Sequence, residues 1–219
     1  MLARKIKSNH RSMTGAIPSN KEHYMRYFES SLERDFYLIL EFDLNVRSYQ
    51  EQPLRIEYVD SKGKIRSYIP DVLVKFRDDI EPAIDMQPWL CEIKYKDDLE
   101  RNHHKYKEKF EAAKTYSEKQ GWEFRIVDER DIRTTHLENV KFFMGYRNIQ
   151  MNNDGTMLLD MIHQLRETDP ASILAAMTDN KWRRAEIMTQ LWHLISVRMI
   201  GADLNIPFNM KSRIWVMEY

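Results

Sequence analysis

The stretch from Trp89 to Val127 constrains this chain more than any other. Trp89-Leu90-Cys91-Glu92-Ile93-Lys94-Tyr95 is a strand-length, largely apolar run. Asp97 to Gln120 follows, helical in composition, with Leu99, Tyr106, Phe110 and Ala113 on one side and Gly121 placed as a C-terminal stop. A further strand, Glu123 to Val127, completes the pattern. A long helix between two strands of one sheet is a crossover, so these two strands are expected to run parallel. Upstream, Leu54-Arg55-Ile56-Glu57-Tyr58 alternates strictly before the turn-forming Asp60 to Lys64, which predicts a hairpin. Its second strand is expected from Ile65 and to continue through Asp71 to Phe76, with the acidic, proline-bearing Asp78 to Pro88 as a loop. Phe28, Leu32, Phe36 and Leu40 recur every fourth residue, with Met25 and Ile39 beside them. They predict an amphipathic helix from about Lys21 to Glu41, behind the stop Pro18-Ser19-Asn20. Helix, three strands, helix, strand is an α/β order with a mixed sheet flanked by helices.

A third helical stretch is expected from about Asp131 to Tyr146, followed by the polar, turn-rich Arg147 to Gly155. The domain boundary is expected there, dividing the chain into 1–150 and 151–219. Thr156 to Glu167, Pro170 to Met177 and Lys181 to Val197 read as three helices, the second started by Asp169-Pro170. Two short apolar segments, Met199 to Ile206 and Arg213 to Met217, flank Pro207-Phe208-Asn209. Three helices plus a hairpin predict a small winged-helix module. Lys181, Trp182, Arg183 and Arg184 open its third helix, where such a module places recognition residues. Acidic residues slightly outnumber basic ones in this segment, which leaves protein docking as open as DNA contact.

Composition narrows the setting. At 219 residues either part can bury its own core. The single cysteine, Cys91, excludes an intramolecular disulfide, and no leader-like pattern opens the sequence, so a reducing, cytoplasmic compartment is expected. No apolar run approaches the roughly 20 residues that cross a bilayer, so no membrane role is expected. Basic and acidic side chains balance at 34 each, which argues against nucleic-acid binding through bulk charge. Basic residues can still be segregated. Arg4, Lys5, Lys7, Arg11, Lys21 and Arg26 are opposed only by Glu22, and form either a solvated terminus or a phosphate-contacting arm.

The chemistry-bearing cluster is Pro70-Asp71, twenty intervening residues, then Glu92-Ile93-Lys94. Residues two apart in a strand share a face, so Glu92 and Lys94 point one way and Cys91 and Ile93 the other. If the strand bearing Asp71 pairs with that bearing Glu92, two carboxylates and an ammonium meet at one edge of the sheet. Hard carboxylate oxygens suit Mg²⁺, which clamps a phosphate and lowers the pKa of bound water, while a nearby lysine orients or deprotonates that water. Like charges crowded together also call for a cation. Glu-x-Lys on a strand is equally an ordinary ion pair, and it is the setting that favours a site: an otherwise apolar strand between a carboxylate-bearing helix and a long basic helix.

Several further motifs occur in order: Arg11 to Gly15, Ser30 to Phe36, Leu40 to Asp43, Tyr49 to Pro53, Tyr68 to Asp71, and Glu92 to Tyr95. Together they resemble the TnsA family, the endonuclease subunit of heteromeric cut-and-paste transposases, over most of the first 145 residues. The resemblance implies a restriction-endonuclease-like first domain of the PD-(D/E)xK class and a winged-helix-like C-terminal domain. It implies Mg²⁺-dependent cleavage, with Mn²⁺ as a substitute, at the 5′ ends of the transposon in double-stranded DNA. The implied partners are an integrase-type transposase subunit and an ATP-dependent regulator, in a bacterial, nucleoid-associated setting. The family's acidic residues fall on Glu33, Asp71 and Glu92, and its lysine on Lys94. Some family members carry Gln where this chain has Glu92.

Other residues stay open on sequence. Glu29 lies as close to the apolar stripe as Glu33, so helix geometry by itself does not choose between them. Gln52 either shapes the site or sets the turn before Pro53. His103 and His104 lack partner ligands at zinc spacing. The basic side of their helix, interleaved with Glu100, Glu108 and Glu111, is either a phosphate-facing surface or a solvated one.

Overall fold

A computed structural model of the chain describes residues 13–217, His23 excepted. It divides into two compact units, Met1–Ile132 and Arg133–Tyr219. Unit 1 opens with a hairpin of β1 (Gly15–Pro18) and β2 (Met25–Phe28), followed by helix α1 (Ser31–Phe42) and strand β3 (Val46–Glu51). A second hairpin, β4 (Ile56–Val59) with β5 (Ile65–Tyr68), precedes β6 (Val72–Phe76), a short 3-10 turn at Ala83–Asp85 and β7 (Trp89–Ile93). Helices α2 (Lys96–Arg101) and α3 (His103–Gln120) lead to β8 (Glu123–Val127) and α4 (Glu129–Ile132). The main sheet has the order β3-β6-β7-β8, antiparallel except for the parallel β7–β8 pair. The expected mixed α/β sheet and crossover are therefore present.

Alternation along the central strands sorts side chains between two layers. Leu73 and Leu90, cross-strand partners, pack with Ala113, Tyr116 and Phe124 under α3. Val72, Val74, Cys91 and Ile93 are buried on the opposite face. Helix α1 buries Leu32, Phe36, Tyr37 and Leu40, with the Tyr37 ring 5.3 Å from that of Tyr49 on β3.

Four expectations need correction in unit 1. The first helix begins at Ser31, not near Lys21. Ser30 caps it, and the residues before it form β2, where Phe28 is buried on a strand face rather than on a helical stripe. The strand expected from Ile65 to Phe76 breaks at Ile69-Pro70, because proline has no N–H to donate to a ladder. β5 thus pairs with β4, while β6 pairs with β3 and β7. Val46–Glu51 is itself a strand of the main sheet. The helix expected from Asp97 to Gln120 is interrupted at Asn102, whose backbone (φ −113°, ψ 16°) is not helical. Its stop at Gly121 is as expected: the residue adopts φ +71°, a left-handed conformation that costs glycine little.

Unit 2 contains α5 (Thr135–Met144), α6 (Asn153–Leu165), β9 (Glu167–Thr168), α7 (Pro170–Met177), α8 (Lys181–Ser196), β10 (Ile200–Ala202) and β11 (Ile214–Val216). Its antiparallel sheet has the order β10-β11-β9. Asn152, Asp169 and Asn180 cap α6, α7 and α8 through their side-chain oxygens. The units meet between Ile132 and Arg133, earlier than the boundary expected at residue 150. The reason is the apolar face of α5: the Phe143 ring lies 6.0 Å from Trp192 and 5.0 Å from Phe208, inside the core of unit 2. No described helix is long and apolar enough to cross a membrane.

Candidate active site

The site assembles where β6 begins and β7 ends. Asp71 stands one residue before β6, yet its N–H still bonds Cys91 O at 3.1 Å, so the antiparallel ladder holds it beside β7. Lys94 stands one residue beyond β7, and its N–H bonds Val127 O, so strand alternation carries through it. By that alternation Asp71, Glu92 and Lys94 share the face on which Leu73 and Leu90 meet α3. The Lys94 ammonium lies 3.2 Å from Asp71 Oδ2, 3.1 Å from Glu92 Oε1 and 3.0 Å from Ile93 O. The same Asp71 oxygen accepts the Ile93 N–H at 2.7 Å. The pairing expected from the Pro-Asp and Glu-x-Lys spacing is thus formed.

Glu33 comes from the first turn of α1. Ser30 Oγ accepts from Glu33 N–H at 3.1 Å, and Glu33 Oε2 accepts from Glu29 N–H at 2.8 Å, a reciprocal arrangement of the capping-box kind. The helix start separates the two candidate glutamates. Glu29 precedes α1, and its Oε1 accepts from Gln52 Nε2 at 3.2 Å, so Glu33 is the helical carboxylate. Gln52 is held with φ +44°, and its N–H bonds Asp71 O at 2.8 Å. That ties the turn before Pro53 to the strand carrying Asp71.

Electrostatics join these groups. Burial raises the Glu33 carboxyl pKa, partly opposed by Glu29 N–H, Ser30 and Lys94. Burial also dominates at Asp71, followed by repulsion from Glu92; Lys94 pulls the other way and Glu33 adds to the rise, leaving a pKa of about 7. For Lys94, burial disfavours the charged form, but Asp71 and Glu92 outweigh it and hold the ammonium above its usual range.

Two residues of the site had no role on sequence. The Tyr68 hydroxyl donates to Glu92 Oε2 at 2.5 Å, and the Lys109 ammonium on α3 donates to Glu92 Oε1 at 2.7 Å. Burial, then the Glu92 charge, raises the Tyr68 pKa. Tyr68 lay within a recognised motif, and Lys109 within the basic helix. The available signal was aromatic residues beside a lysine, Tyr106 and Phe110 flanking Lys109.

Among the described residues, no three Asp, Glu, His or Cys side chains gather into a ready-made metal cage. Two ammoniums stand among the carboxylates instead. By donor type, Asp71, Glu92 and Glu33 offer only oxygens, the ligands a hard divalent cation takes, and burial followed by the Glu92 charge makes Asp71 reluctant to ionise. Elsewhere, Arg4, Lys5, Lys7 and Arg11 of the expected basic arm lie outside the described residues. Lys21 and Arg26 are turned inward: Lys21 donates to Asp43 O and Val46 O, and Arg26 pairs with Glu22 and Glu51. In unit 2, Lys181 and Trp182 are exposed at the start of α8, whereas Arg183 pairs with Asp154 and Glu186.

No curated protein matches the chain. Residues 43–129, running from the end of α1 into α4 and carrying Asp71, Glu92 and Lys94, match the family described as TnsA-like endonuclease N terminal. Over that stretch, which lies within the first unit, the chain is similar to the N-terminal domain of TnsA-like endonucleases.

Proposed function

We propose that this chain is the Mg²⁺-dependent DNA endonuclease subunit of a heteromeric transposase, cutting the 5′ ends of the transposon during cut-and-paste transposition. The observation that carries the reading is the Lys94 ammonium 3.2 Å from Asp71 and 3.1 Å from Glu92, inside the stretch that matches the endonuclease family. Asp71 and Glu92, with Glu33 from α1, would hold the cation. A bound Mg²⁺ supplies an activated water at neutral pH and neutralises charge on the phosphate. Lys94, kept protonated by its two anions, donates hydrogen bonds and neutralises charge where the scissile phosphate enters. Tyr68 and the backbone of Ile93 fix the orientation of Glu92 and Asp71 through one hydrogen bond each. Mn²⁺, of the same charge and ligand preference, would substitute.

The remaining parts of the reading follow from the resemblance. An integrase-type subunit would cut and join the 3′ ends, and an ATP-dependent regulator would license both reactions. Unit 2 has the order helix, strand, two helices, hairpin after α5, and is read as a winged-helix-like module serving DNA or partner contact. The test is paired-end cleavage mapping with the partner subunits, with and without Mg²⁺, comparing wild type with Asp71→Ala. Cuts at the 5′ ends should require both Mg²⁺ and Asp71. Undiminished 5′ cutting by Asp71→Ala would remove the catalytic reading, and cutting of arbitrary DNA by the purified chain would replace it with a stand-alone nuclease.

A further inference from the structure

Lys109 sits in a setting unlike that of its neighbours on α3. Lys105 and Lys107 are exposed, while the Lys109 side chain keeps 17 % of its accessible area. Its ammonium stands 4.6 Å from the Tyr68 ring centroid, 4.5 Å from Tyr106 and 4.9 Å from Phe110. It approaches Glu92 Oε1 at 2.7 Å, closer than Lys94 does at 3.1 Å. Ordering a lysine stem costs rotamer freedom, and withdrawing its ammonium from water costs more. Three ring faces and a carboxylate offset those costs and build a defined seat for one positive charge.

The occupancy of Glu92 follows by counting acceptor sites. A carboxylate oxygen accepts about two hydrogen bonds, and Oε1 already takes one from each ammonium. Oε2 takes the Tyr68 hydroxyl. A divalent cation that uses Oε1 must therefore displace a lysine. Lys94 is held by three acceptors: Asp71, Glu92 and Ile93 O. For Lys109, Glu92 is the only carboxylate partner among the described residues, and its side chain is long enough to withdraw.

We propose that Lys109 is a resident cation of the active site, seated on Glu92 Oε1 in the metal-free protein, and that a divalent metal ion must displace it to use that oxygen. The inference rests on the reading of Glu92 as a metal ligand. It makes Lys109 a competitor for metal rather than a bystander on a basic helix. A purely structural Lys109 would stabilise the fold without opposing the metal.

The test is Mn²⁺ binding to the full chain without DNA, measured by calorimetry and by the paramagnetic resonance signal of free Mn²⁺. Wild type, Lys109→Met, Lys109→Gln, Lys109→Arg and Asp71→Ala are compared. Removing one opposing charge at a partly buried site should tighten Mn²⁺ binding about ten-fold in Lys109→Met. Lys109→Gln keeps a donor without the charge and should shift the same way, covering the case in which methionine disturbs folding. Lys109→Arg keeps the charge and should stay near wild type. Equal or weaker binding by both neutral variants, with binding still lost in Asp71→Ala, overturns the role of Lys109 and leaves the metal site standing. No saturable binding by wild type, or unchanged binding by Asp71→Ala, overturns the metal site and this inference together.

Discussion

Replacing Asp71 by Asn should stabilise the metal-free protein at alkaline pH while abolishing the site. In the folded chain the Asp71 pKa rises from 3.8 to about 7, first through burial and then through Glu92. At ~1.4 kcal/mol per unit, that rise is roughly 4 kcal/mol of unfavourable ionisation above pH 7. Asparagine keeps an oxygen for the Ile93 N–H and carries no charge, and the pull of Lys94 on the anion is already contained in that pKa. The gain is therefore up to about 4 kcal/mol, or several degrees in Tm at about 2–4 °C per kcal/mol for a chain of this size. The sign follows from linkage. A raised folded-state pKa means that the folded protein binds the proton more tightly than the unfolded chain. The penalty is therefore complete above about pH 7, shrinks as pH falls through the folded-state value and is gone below the unfolded value. Thermal unfolding in EDTA at pH 8, 6 and 4.5 should show the Asn variant ahead at pH 8 and the gap closing on acidification. Added Mg²⁺ should raise the wild-type Tm at pH 8 and leave the variant unmoved. An Asn variant less stable than wild type at pH 8 in EDTA, or a gap that does not change with pH, would refute the claim that Asp71 is a strained anion.

Ser30→Ala removes the α1 cap and one of the hydrogen bonds of Glu33, and should cost about 1 kcal/mol in urea denaturation. An unchanged midpoint would count against the capping arrangement. Arg26→Ala leaves Glu51, only 4 % exposed, without its buried ion-pair partner, and should cost about 3–5 kcal/mol. A loss under about 1 kcal/mol would mean that the charge of Glu51 is carried by other groups.

How much of this was legible beforehand varies with the range of the contacts involved. The crossover from β7 to β8 was readable because Gly121 and the change from period-2 to helical spacing are local signals. The first helix was misplaced because Phe28 continues an every-fourth-residue apolar series that a strand also satisfies, while the real start is set by Ser30 and Glu33. The boundary between units was placed late because α5 is an ordinary amphipathic helix on sequence, and only Trp192 and Phe208, far along the chain, decide which core it joins. Tyr68 escaped assignment because its partner Glu92 lies across the break at Pro70.

From the sequence by itself came the alternation that sets Glu92 and Lys94 on one face, since a strand's side-chain period is a property of the backbone. It also supplied the motif order that marks the family. Only the tertiary structure decided that Arg26 is spent on Glu51 and that Lys109 reaches Glu92 from another layer. Those are meetings between segments distant in the chain. Packing of β2 beside β3 and of α3 against the sheet fixes them, and residue spacing carries no record of which side chain will arrive at which carboxylate.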